Sequence, residues 1–297
     1  MTIGRGRSLT DLVREGRRSF SFEFFPPKDE AGEAQLWETV RELEAYEPSF
    51  VSVTYGAGGS SRDRTLRITR RIAEETSLLP MAHLTCVGHT REELGQILDD
   101  YAAAGVHHLM ALRGDPEDGP RAEWTPTPGG LTHAHELVEM AAATGQFRIG
   151  VAAFPETHPS SPSLDHDADV LALKARAGAE FAVTQMFFRA ADYVDLVERV
   201  RERGVELPVL PGIMPILNLA AIRRQGELIG TEVPADVVAR IAAHEGDPVS
   251  MRAEGIALAA ELCAELLDAG APGLHFYTLN RSRATREIFE KLDVARG

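Results

Sequence analysis

Cysteine is nearly absent: Cys86 and Cys263 are the only two, with no CxxC spacing, so neither a disulfide framework nor a paired-cysteine metal or redox site is available. Long apolar runs are also missing. No uninterrupted stretch approaches the ~18–20 residues of a membrane span, and the basic segment "MTIGRGRSLTDLVREGRRSF" lacks the apolar core of a secretory signal. A cytoplasmic protein with no membrane contact is expected. Basic charge is scarce too: 31 Lys and Arg against 45 Asp and Glu leave a net charge of −14. That balance argues against nonspecific binding to nucleic acid or an anionic bilayer. An anionic ligand must therefore find local positive charge or helix N-termini. Metal-ligand spacing is lacking, since His107-His108 and His133-x-His135 fit neither HExxH nor a Cys/His finger, and no metal is expected. There is no GxSxG, and nothing marks Cys86 as a nucleophile.

What is present is a recurring unit. Short apolar runs recur at Phe20 to Phe25, Phe50 to Tyr55, Met81 to Val87, His107 to Leu112, Ile149 to Phe154, Phe181 to Phe188, Pro208 to Met214 and Leu274 to Leu279. Each precedes a turn and then a stretch with apolar residues at three- and four-residue spacing, such as "REELGQILDDYAAAG", as expected of helices with one buried face. Eight strands alternating with helices predict a (β/α)8 TIM barrel, with an open doubly wound sheet as the competing architecture. No composition break interrupts residues 1–297, so a single barrel domain is expected, with an extra helix between the seventh and eighth strands.

In such a barrel the chemistry sits at the C-terminal ends of the strands. Those ends read Glu23, Thr54, His83 with Thr85, Arg113-Gly114-Asp115, Ala152 through His158, Gln185, and Tyr277 through Arg281. Glu23 alternates with Phe22 and Phe24; if the phenylalanines face the outer helices, the carboxyl points into the barrel. Burial there is expected to raise its pKa and suit it to general acid work, against the alternative of an ion-paired structural glutamate. "TYGAGGSSRDRT" offers close backbone approach and Ser60, Ser61 and Asp63 as helix caps, but it is not GxGxxG. In "ALRGDP", Arg113 can grip a phosphate or carboxylate and Asp115 can accept from a ring N–H, or the two form a surface pair. Gln185 is either a ligand contact or a satisfied core amide. Lys174 lies on a helix, where lysines are usually solvated.

Taken in order, "SFEFFPPK", "FVSVTYGAGGSSRDRT", "AHLTC", "ALRGDP", "VAAFPETHP", "AGAEFAVTQMFF", "PGIMPI" and "GLHFYTLNR" closely resemble the methylenetetrahydrofolate reductases of the bacterial type, here as the catalytic barrel alone. The resemblance implies FAD at the barrel mouth and NAD(P)H as hydride donor, NADH being the choice in bacterial members. It implies ping-pong reduction of 5,10-methylenetetrahydrofolate to 5-methyltetrahydrofolate, a step of one-carbon metabolism that supplies methionine, in a homo-oligomer. It makes Glu23 the general acid, kept protonated by its phenylalanine-rich setting, and Asp115 a carboxylate between flavin and pterin. It assigns flavin contacts to Thr54, Tyr55, Ala57, His83, Arg113, Gly114, Asp115, Ala152, His158, Asp167 and Lys174, and folate contacts to Glu23, Thr54, Asp115, Gln185 and Arg281. Three positions depart from or blur the pattern: His133 replaces a tyrosine, Leu219 replaces a phenylalanine, and Asp169 rivals Asp167.

Overall fold

Phe22 and Phe24 are fully buried in the layer between strands and helices, beside Leu36, Val40 and Leu43, so the residue between them turns to the barrel interior. This one alternation fixes the face of the first strand. The computed structural model describes residues 11–12, 15–55, 62–116, 118–119 and 121–292.

The elements run β1 (Ser19–Phe24), α1 (Glu30–Glu44), β2 (Phe50–Val53), α2 (Arg62–Glu75), β3 (Pro80–Thr85), α3 (Arg91–Ala103), β4 (His108–Leu112) and α4 (Ala134–Ala143). They continue with β5 (Arg148–Ala153), α5 (Leu164–Arg176), β6 (Phe181–Thr184), α6 (Ala190–Glu202), β7 (Val209–Leu210) and β8 (Gly212–Ile213). The chain then forms α7 (Leu219–Ile229), α8 (Ala235–Ala242), α9 (Pro248–Asp268), β9 (Gly273–Tyr277) and α10 (Ser282–Lys291). Strand pairing is parallel throughout, in the order β7-β6-β5-β4-β3-β2-β1-β9-β8. The expected (β/α)8 barrel is the fold.

The expected seventh strand is two pieces. Pro211 has no N–H and interrupts the ladder, so β7 pairs with β6 while β8 pairs with β9. The Pro211 carbonyl still accepts from His275 N at 3.0 Å, so the two pieces occupy one barrel position and close the ring. The long connection after β8 holds α7, α8 and α9, one helix more than the barrel helix and the single extra helix expected from the sequence. Ile222 from α7 and Val237 and Ile241 from α8 bury a small separate core with Met186 and Ile216, roofing one side of the mouth.

Inside the barrel, Phe50, Met81, Met110, Phe181, Val183 and Leu210 form an apolar plug. Gly150 makes room for it: a Cβ there would stand 2.6 Å from the Phe181 ring. Helix starts are locally capped, as by Asp29 accepting from Gly32 N and by the reciprocal Thr90–Glu93 box. Of the caps expected for α2, Asp63 lies in its first turn, while Ser60 and Ser61 lie outside the described residues.

Candidate active site

Glu23 is 7% exposed and sits within a ring of donors from other strands. Its Oε2 lies 3.3 Å from Ser52 Oγ, 3.3 Å from His275 Nε2 and 3.5 Å from His83 Nε2. Burial pushes the carboxyl up, but His83, His275 and Ser52 together outweigh it and hold the group below the ordinary carboxylate value. This corrects the expectation that the phenylalanine-rich setting alone would keep Glu23 protonated. The phenylalanines face away; the polar partners come from β2, β3 and β9. Burial, with His275 alongside, depresses His83, and Glu23 partly offsets this.

A second cluster gathers at the ends of β4 and β5. Arg113 is half-buried and lies over the Trp124 ring at 4.8 Å, and its Nε donates to Gly114 O at 3.2 Å. No salt bridge joins Arg113 to Asp115 among the described residues, although the two attract each other through charge. Asp115 is exposed at the rim, yet crowding by nearby chain raises its carboxyl, with Arg113 pulling the other way. Gly114 adopts φ 82°, and a Cβ there would stand 2.5 Å from Val87 Cγ1, so only glycine suits this turn.

Lys174 departs from the usual solvated helix lysine. It is buried, and its Nζ donates to Ala152 O at 2.9 Å. Burial lowers its pKa to about 8; Asp167 opposes the shift and Arg113 adds to it. His158 N donates to Asp167 Oδ2 at 3.0 Å. The His158 ring is pushed down to about 4 by burial, then by Arg113 and Lys174. Asp169 instead points outward to Arg203 at 2.5 Å, which separates it from Asp167 as a site residue.

Around these clusters, Thr54 continues the β1–β2 ladder by donating from N to Phe24 O at 3.0 Å. Tyr55 Oη lies 2.8 Å from His89 Nε2. Ala57 lies outside the described residues. Gln185 at the end of β6 is part-buried, its Oε1 accepting from Met186 N at 2.9 Å, and Leu219 opens α7 beside the small core. His133 caps α4 with its ring stacked on His135 at 5.6 Å. Arg281 is exposed and opens α10.

The turn carrying Arg281 is held in an unusual way. Leu279 and Asn280 both adopt positive φ, at 52° and 56°. The Asn280 amide accepts from Phe25 N and donates to Phe25 O, both at 2.8 Å, and Thr278 Oγ1 donates to Glu23 O at 2.7 Å. The last strand is thereby stitched to the first just above Glu23.

Sequence reading missed His275, Ser52, Trp124 and His89. His275 and Ser52 follow the interior register of β1, β2 and β9, a signal available once the strands are aligned. Trp124 and His89 sit in loops without periodicity. Cys86 is buried and its thiol is pushed up to about 12 by burial, which keeps it unreactive.

The family model "Methylenetetrahydrofolate reductase" matches residues 8–293. The 5,10-methylenetetrahydrofolate reductase of Pectobacterium carotovorum subsp. carotovorum is 36% identical over 97% of this chain and 94% of its own. That of Escherichia coli (strain K12) is 34% identical over 98% and 95%. Methylenetetrahydrofolate reductase (NADH) 1 of Arabidopsis thaliana is 34% identical over 96% of this chain but only 50% of the plant protein. Among solved structures, an uncharacterized Clostridium thermocellum protein that binds two copies of 5-methyl-5,6,7,8-tetrahydrofolic acid superposes with a TM-score of 0.62 at 11% identity, covering 97% of this chain and 99% of that one. At such identity the likeness shows the barrel alone. Agreement over nearly full length with the bacterial reductases settles the kinship: this chain belongs to the methylenetetrahydrofolate reductase family.

Proposed function

We propose that this protein reduces 5,10-methylenetetrahydrofolate to 5-methyltetrahydrofolate, using NAD(P)H and FAD in alternating half-reactions at the barrel mouth. The observation that carries the reading is a buried carboxyl, Glu23, sharing that mouth with the cations Arg113 and Lys174 and the neighbouring His158 in a strongly acidic protein.

The residues fit a flavin dinucleotide. Arg113 lowers the pKa of both Lys174 and His158, and Lys174 lowers that of His158. A dianionic diphosphate relieves that mutual repulsion. Arg113, Lys174 and His158 would hold the diphosphate, the glycine turn at Gly114 would admit close approach, and Thr54, Tyr55, His83, Asp115, Ala152 and Asp167 would complete the cradle, with Ala57 added by the family resemblance alone. Bound there, FAD supplies two-electron hydride transfer.

The chain's own part is to orient the folate and manage one proton. Gln185 and Arg281 bind the folate, Arg281 facing its anionic tail from the rim. Substrate seated over Glu23 excludes the remaining water and pushes the carboxyl upward, so the acid is charged with its proton as the site closes. Glu23 gives that proton to the folate, the five-membered ring opens to a cationic iminium, and Asp115 stabilises the positive charge. NADH as donor and a homo-oligomeric assembly complete the reading.

Purified protein tests it directly. A flavin absorbance that bleaches anaerobically with NADH and returns on adding 5,10-methylenetetrahydrofolate is expected. Protein that binds the folate but holds no flavin, or whose reduced flavin the folate leaves untouched, overturns it.

A further inference from the structure

The polar side chains around Glu23 all face one oxygen. Ser52, His275 and His83 converge on Oε2, and among the described residues no hydrogen bond reaches Oε1. The firmest anchor behind this arrangement is on His275, whose Nδ1 lies 2.8 Å from Ser21 Oγ. His275 is fully buried, stacked on Phe50 at 5.8 Å and edge-on to Tyr277 at 5.4 Å, so its ring has no freedom to turn. A buried imidazole needs a partner at each nitrogen, and the partner on one nitrogen decides which bears the proton. A Ser21 hydroxyl that donates to Nδ1 places the imidazole proton on Nε2, facing Glu23, whereas one that accepts from Nδ1–H leaves Nε2 bare.

We propose that His275 is a positioning residue for Glu23: its Nε2–H, fixed from behind by Ser21, holds Oε2 and leaves Oε1 as the oxygen that carries the proton to substrate. This rests on the acid role proposed for Glu23. The other titratable groups facing the carboxyl are His83 from β3 and Tyr277 from β9. Tyr277 donates to Thr184 O at 2.6 Å and so offers Glu23 no proton. His83 Nε2 stands farther off than His275 and makes no hydrogen bond. The ligand-free downward shift of the Glu23 carboxyl agrees with an ionised Oε2 gripped by donors.

The sign of one shift decides the matter. If His275 donates to Oε2, removing it weakens the ionised form and raises the Glu23 midpoint; if Glu23 donates to a bare Nε2, removal lowers it. The carboxyl titration can be followed in the purified full chain by infrared difference spectroscopy, with Glu23→Gln as the blank. His275→Leu is expected to raise the midpoint by about one pH unit, a tenfold weaker acid. His275→Gln, which returns an amide donor, should recover part of the shift, and Ser21→Ala should give a smaller rise. In parallel, the alkaline limb of folate reduction should move up while reduction by NADH keeps its rate. An unmoved or lowered midpoint overturns the proposal, and Ser21→Ala decides it alone if His275→Leu fails to fold. Protein that shows the shifts without reducing the folate would sink the proposed reaction and leave the His275–Glu23 coupling standing. Folate reduction with an unmoved midpoint would sink only the role of His275.

Discussion

The two polar clusters at the barrel mouth are opposite constructions. On β1, β2, β3 and β9, one carboxyl is enclosed almost completely, and hydroxyl and imidazole groups surround it on a single oxygen. After β4 and β5 and on α5, half-buried Arg113 lowers the proton affinity of half-buried His158 and buried Lys174, and Lys174 lowers that of His158, with Asp167 offsetting the effect at Lys174. A closed cluster suits control of a proton, because small changes in its enclosure move the carboxyl pKa. An under-neutralised, open cluster waits for an external anion. In the proposed reaction, strand position would separate proton handling from cofactor holding.

The sharpest way to break this division is Glu23→Gln. It should keep flavin reduction by NADH and slow folate reduction roughly 10²–10⁴-fold, the usual worth of general acid catalysis. Stopped-flow measurement of the two halves checks this, and equal loss in both would merge the clusters' roles. Lys174→Met tests the other side. Loss of one charge-assisted hydrogen bond should weaken flavin binding by ~1.5–3 kcal/mol, or about 10- to 100-fold in Kd. The same variant should raise the His158 midpoint from about 4 toward the ordinary histidine value, since one of its repelling charges is gone. Proton NMR of the ring reads that shift. Because both pKa values lie below their unfolded references, the sign for stability is fixed. The unfolded chain binds the extra proton, so the His158 contribution fades as pH falls from ~6.5 toward 4, and that of Lys174 as pH falls from ~10.5 toward 8.

Asp115→Asn probes the boundary between the clusters. Removing this negative charge should raise the flavin potential and slow folate reduction, while reduction by NADH holds or quickens. A redox titration showing a lowered potential with normal folate turnover would detach Asp115 from the reaction. The smallest effect is expected for exposed Arg281. Arg281→Ala should raise the folate KM several-fold with little change in kcat, the mark of uniform binding. Steady-state kinetics that leave KM unmoved would take Arg281 out of the site.

Much of this organisation was legible before any coordinates. The Phe-Glu-Phe alternation orients β1, and strand-then-helix periodicity specifies the barrel. The break at Pro211 is visible in principle, but the pairing of both pieces is a property of ring closure and not of the local chain. Glu23 was legible as buried; its electrostatic balance was not, because Ser52 and His275 lie 29 and 252 residues away in sequence. Lys174 shows the same limit in reverse. Its helix looks ordinary, and its burial depends on reaching Ala152 across 22 residues. Choosing Asp167 over Asp169 needed Arg203, whose position follows from helix packing.

The stitch between Asn280 and Phe25 joins residues 255 positions apart. On a chain made from the N-terminus, Glu23 emerges long before its partners His275 and Thr278. Until β9 is made, β1 keeps one unpaired edge and Glu23 has Ser52 and His83 beside it but lacks His275. A nascent or truncated product therefore carries the acid without the full environment that tunes it. Closure of the barrel and completion of the polar surroundings of Glu23 therefore require the same last strand and its turn.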